Sequence, residues 1–192
     1  MIRYIFFAAI LFLYACNNSS EQAAATQDTI AEERPDFFPV TSYIKGQIHD
    51  INQKGLTPIK YTTINDKTDS VMVKFENIND LCKEFLQPEI DSSNLIDLFT
   101  ETKFLDQTVN AFTFTYDPKK KLPDTVMLKH WDVYVDPETG KVKRVYIIKS
   151  AGQNKTLQLT WQSNEWFKTT SIITDVNGES RIEKEEKISW DY

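Results

Sequence analysis

A chain of 192 residues with 41% hydrophobic and 26% charged side chains is long enough to bury one sizeable core and too apolar to be disordered throughout. Its 28 acidic residues outnumber the 22 basic ones, giving a formal net charge of −6. That balance argues against nucleic acid as a partner and against adhesion to an anionic membrane surface.

The chain opens with Met1-Ile2-Arg3, an apolar run over residues 4–15, and Cys16. A positive charge, a short apolar core and a small residue before a cut are the parts of a secretory signal. About a dozen apolar residues fall short of the roughly 20 that span a bilayer as a helix, so the run is expected to be removed. The residues Leu13-Tyr14-Ala15-Cys16 resemble the lipobox of bacterial lipoproteins, with Leu three places before the Cys and a small residue beside it. Tyr14 departs from the small residue usual at its place. The resemblance implies that residues 1–15 are a signal peptide and that Cys16 becomes the acylated N-terminus, anchoring the chain to a membrane of the cell envelope. Asn17, where some lipoproteins carry Asp, implies the outer membrane, on its periplasmic side or at the surface. Residues 16–36, rich in small and polar side chains, then form the lipidated Cys and a flexible tether, and residues 37–192 a single domain.

Within that domain Val40, Ile44, Ile48 and Ile51 recur at helical spacing, so a helix is expected up to Lys54-Gly55, with His49 on its solvated side. Residues 59–64 and 70–75 predict a hairpin across the turn 65–69. Asn79-Asp80 can cap a second helix burying Leu81, Cys82, Phe85 and Leu86 before Pro88, and Asp91-Ser92-Ser93 can open a short third one. With Cys16 acylated, Cys82 is left without a disulfide partner and is expected to be a buried, structural thiol.

From Thr108 the period becomes two. Segments 108–116, 127–135, 141–149, 156–162, 166–174 and 181–190 predict six strands in an antiparallel meander, with turns at 136–140, at Ser163-Asn164 and at Asn177-Gly178, the last of a composition that favours type I′. Met127, Trp131, Val133 and Val135 are expected on one face. The segment 141–149 should be central, with Val145 and Ile147 on one face and Val142, Tyr146 and Ile148 on the other. The alternating charges of 181–190 suggest a protected edge strand. The fold class expected is α+β: a curved antiparallel sheet, made of an N-terminal hairpin and a C-terminal six-stranded meander, with about three helices on one face.

Chemistry leaves few marks. There is no Gly-rich phosphate loop, no His-Glu-x-x-His, no Gly-x-Ser-x-Gly and no Cys-x-x-Cys, and no cofactor is expected. His130 and Asp132, two apart on a strand, face the same way and are the candidates for a metal or acid–base pair, which would need a third ligand from elsewhere. Trp131, Tyr134, Tyr146 and Trp161, with Trp166 and Trp190 on neighbouring strands, are candidates for an aromatic ligand surface, against the alternative of a packed core. The leading expectation is a non-catalytic envelope lipoprotein whose sheet domain binds an envelope protein or a ligand. The alternatives are a carrier of lipids or other hydrophobic ligands and a metal-assisted hydrolase around His130 and Asp132.

Overall fold

The computed structural model describes residues 36–74 and 78–190, all within one structural unit. The expected signal segment, Cys16 and the tether to residue 35 lie outside the described residues, as does Phe75 at the end of the expected second strand. The described residues form three helices and nine strands, an α+β fold. No helix among them is long and apolar enough to cross a membrane.

The helices follow their apolar spacing. Helix α1 (Val40–Gln53) buries Val40, Ile44, Ile48 and Ile51, leaves His49 exposed, and ends at Lys54 and Gly55, the latter at φ +62°. Helix α2 (Ile78–Leu86) buries Ile78, Cys82 and Phe85. Helix α3 (Ser92–Leu95) is one turn, capped by the Asp91 carboxylate, which accepts from the backbone N–H groups of Ser93 and Asn94.

The strands are β1 (Ile59–Ile64), β2 (Lys67–Met72), β3 (Phe99–Asp106), β4 (Ala111–Pro118), β5 (Leu128–Val135), β6 (Val142–Ser150), β7 (Lys155–Gln162), β8 (Trp166–Thr174) and β9 (Ser180–Ser189). They make one open antiparallel sheet in the order β2-β1-β9-β8-β7-β6-β5-β4-β3. The meander therefore has seven strands, not six: β3 precedes the first strand expected there. The hairpin turn is also tighter than expected. Asn65 and Asp66 alone connect β1 and β2, both at positive φ (48° and 61°), the geometry whose twist suits a two-residue hairpin.

The last strand is not an edge. β9 lies between β8 and β1, and three of its carboxylates are paired with lysines of other strands: Glu183 with Lys155 at 2.7 Å, Glu185 with Lys168 at 2.8 Å, and Glu186 with Lys60. The edges are β2 and β3. The turn before β9 differs as well. Gly178 takes φ +86° while Asn177 stays out of the left-handed region, and the Asp175 carboxylate accepts from the backbone N–H groups of Asn177 and Glu179, so Asp175 shapes the turn rather than an Asn-Gly type I′ pair.

Bulges reset which residues face the helices. Between Leu128 and His130 the pairing with β6 slips, so Leu128 is fully buried while Met127, expected inside, is 48% exposed. A second slip, between Tyr134 and Val135, leaves Lys143 as the extra residue on β6. It moves Val142 from the face of Tyr146 to that of Val145.

The core lies on a single face of the sheet. Tyr116, Trp131, Val133, Val145, Ile147, Leu159, Trp161, Phe167 and Ile188 share that face by register and pack with the buried residues of α1 and α2. Aromatic rings fill the space between the two layers. Phe37 meets Tyr116 and Trp131 edge-on, with centroids at 5.0 and 6.0 Å, and Phe85 meets Trp161 and Phe167 at 5.4 and 5.5 Å. Chain entry is fixed there too, since the backbone N–H of Phe37 donates to the Ser92 hydroxyl and that of Phe38 to the Tyr116 hydroxyl.

Candidate functional site

The strand alternation that buries one face of the sheet turns the remaining residues to the other, which the described helices leave uncovered. Here β4, β5 and β6 set Thr115 opposite Asp132 and Asp132 opposite Tyr146. His130, two residues before Asp132, stands between two carboxylates. Its Nδ1 lies 2.8 Å from Asp117 and its Nε2 lies 3.1 Å from Asp132. Asp132 also accepts from the Thr115 hydroxyl at 2.7 Å and from the Tyr134 hydroxyl at 3.3 Å.

Carboxylates on both ring nitrogens favour the imidazolium. The Asp132 contact raises the His130 pKa, against a smaller opposing effect of burial and with added help from Asp117. Burial alone would raise the Asp132 carboxyl, but the hydrogen bonds from His130 and Thr115 outweigh it and hold that carboxyl below the usual range. With a carboxylate on each ring nitrogen, the imidazole has neither nitrogen turned to solvent. Among the described residues no three His, Cys, Asp or Glu side chains are grouped to hold a metal ion.

The aromatic candidates divide between the faces. Trp131 and Trp161 are 0% exposed, stacked on Tyr116 and Phe167 at 4.5 and 5.0 Å between sheet and helices. Tyr134 and Tyr146 lie on the opposite face, half-buried, with Tyr146 6.5 Å from the His130 ring. The four do not share a surface.

A different aromatic group does open to solvent. Where β1, β2, β8 and β9 adjoin, an open groove of about 900 Å³ is lined by Tyr61, Thr63, Trp166, Lys168, Lys187 and Trp190 among others. Lys187 stands over the Trp166 ring, 4.8 Å from its centroid. Lys168 holds Glu185 at 2.8 Å, which with a hydrogen bond from Thr170 keeps that carboxyl below its usual range although partial burial opposes the shift. Trp190 borders the groove from the core side: it is 2% exposed, its ring packs on Trp161 and Phe167, and its buried indole N–H has no acceptor among the described residues. Tyr61 and Lys187 are directly opposed in the β1–β9 ladder, so no local signal in either strand could have joined them. Asp117, the second partner of His130, comes from the neighbouring strand and was equally invisible. Searches of protein-family models, curated proteins and solved structures find nothing that matches this chain.

Proposed function

We propose that the chain is a lipid-anchored protein of the cell envelope, held to the outer membrane through Cys16, whose sheet domain works by binding an envelope protein or ligand rather than by catalysis. The observation that carries the binding reading is the open groove on the uncovered face, with Trp166 and Tyr61 offering ring surface and Lys168, Lys187 and Glu185 offering charge. Ring faces bordered by a few fixed polar groups are what ligand sites commonly present.

Two further features support binding over the alternatives. The layer between helices and sheet is occupied by Phe37, Phe85, Trp131 and Trp161, which leaves little room there for a lipid cargo. His130 is committed to two carboxylates, which suits a fixed charge better than a general base or a zinc ligand.

The anchor and the groove are tested separately. Mass spectrometry of the protein from its native membrane should find Cys16 at the N-terminus with fatty acyl mass; any other N-terminus removes the anchor. For the groove, chemical crosslinking in envelopes followed by purification should recover a partner or ligand with the natural chain and lose it with Trp166→Ala. Equal recovery with both removes the groove from the function.

A further inference from the structure

At one end of the uncovered face, Arg144 lies over the Tyr134 ring with its guanidinium carbon 4.4 Å from the centroid. The residue is half-buried, and its guanidinium has no hydrogen bond or ion pair with any described residue. In a chain with an acidic excess, an Arg held against a ring and left without a carboxylate is a prepared donor fork.

The surroundings complete a site. The bulge at Lys143 lets two consecutive residues of β6 reach one pocket, where strict alternation would send them to opposite faces. The Lys143 ammonium donates to the carbonyl oxygens of Val109 and Asn110, 3.3 Å each, tying the β3–β4 turn to the pocket that Val109 and Lys143 both line. Val109 and Ala111 form an apolar wall and Gln162, paired with Arg144 across β6 and β7, supplies an amide. Asp106 and Asp136 influence Tyr134 and Lys143 from a distance, but neither pairs with Arg144. The pocket holds about 310 Å³, the low end of the range for ligand sites.

We propose that this pocket binds the carboxylate of a small ligand, received by the Arg144 guanidinium and the Lys143 ammonium, with a short aliphatic portion against Val109 and Ala111. A planar guanidinium pairs two N–H donors with two carboxylate oxygens, and a pocket of about 310 Å³ holds a small carboxylic acid with room to spare. The site does not depend on the groove at Trp166 or on the lipid anchor.

The test is an NMR titration of the full chain with sodium propionate, at ionic strength held constant with sodium chloride, and with inorganic phosphate as a second arm. Saturable shifts are expected at Ala111, Lys143, Arg144 and Gln162. Arg144→Gln should weaken binding about tenfold or more, the loss of charge-assisted hydrogen bonds. Arg144→Lys, which keeps the charge and the ring contact, should also weaken it. Propionate shifts no larger than those of chloride, or equal in both variants, would overturn the site, and tighter binding of phosphate would overturn its assignment to carboxylate.

Discussion

Lys149 donates from the buried face of β6 to the Glu84 carboxylate at 2.7 Å and to the backbone carbonyls of Glu84 and Gln87 at the end of α2. A lysine only 3% exposed is accommodated there because the last carbonyls of a helix lack partners within it and carry the negative end of its dipole. Side chain and helix satisfy each other, and α2 is fixed to the sheet. Lys149→Met keeps the aliphatic stem and removes the donors, leaving those carbonyls unpaired. A loss of about 1 to 3 kcal/mol is expected in urea unfolding; an unchanged midpoint would mean that water serves the helix end equally well.

The His130 cluster sets a pH dependence with two limbs. Since the imidazole pKa is raised in the fold, its contribution is complete below the ordinary value near 6.5 and is lost as pH rises through the folded value. Asp132, lowered in the fold, contributes above the ordinary carboxylate range, and that share disappears as pH falls through its folded value. Proton NMR of the ring should find His130 titrating above the ordinary imidazole value near 6.5. Asp132→Asn should depress the His130 pKa more than Asp117→Asn does; the reverse order would assign the main contact to the wrong carboxylate.

Trp131 and Trp166 should behave oppositely. Trp131→Ala opens a cavity beneath Phe37 and Phe99 and is expected to lower stability by about 3 to 5 kcal/mol. Trp166→Ala removes an outward ring and one cation contact, for a loss of about 1 kcal/mol. Thermal unfolding of the two proteins compares them directly, and similar losses would contradict the assignment of one ring to the core and the other to the groove.

Burial pushes the Cys82 thiol far up, which leaves almost no thiolate at neutral pH. A thiol reagent should not label Cys82 until the chain is unfolded. If Cys16 is lipidated, the unfolded native protein shows one reactive thiol; two would mean that Cys16 carries no lipid.

Gly140 adopts φ +67° with open space where a Cβ would stand. Gly140→Ala therefore meets only the backbone penalty of a left-handed side-chain residue, roughly 1 to 2 kcal/mol, partly offset by a stiffer unfolded chain. A net loss near 1 kcal/mol in denaturant unfolding is expected, and a gain would place the turn in another conformation.

Much of the fold was legible wherever a local period exists. The stripe from Val40 to Ile51, the cap at Asp91 and the positive φ of Gly140 each follow from neighbours a few residues away. β3 was missed because only Phe99 among its residues is buried, so an edge strand showed no alternation to read. Met127 and Val142 were turned to the wrong faces because a bulge leaves no residue pattern of its own. The charges of β9 looked like edge protection until Lys60, Lys155 and Lys168 supplied their partners from other strands. The site suffered the same blindness: His130 and Asp132 were adjacent in pattern, whereas Asp117, Tyr61 and Lys187 join through pairings that only the assembled sheet defines.

One consequence concerns the order in which the molecule can be completed. From β3 onward every strand pairs with its successor, so the meander can assemble as each hairpin becomes available. The β1–β2 hairpin is different, because its place in the sheet exists only once β9, the final strand, has formed. During synthesis from the N-terminus, the β1–β2 hairpin waits with one side of β1 unpaired until β9 has been made. A truncation that removes β9 would strand that hairpin permanently, leaving an adhesive border where the native protein has an interior ladder.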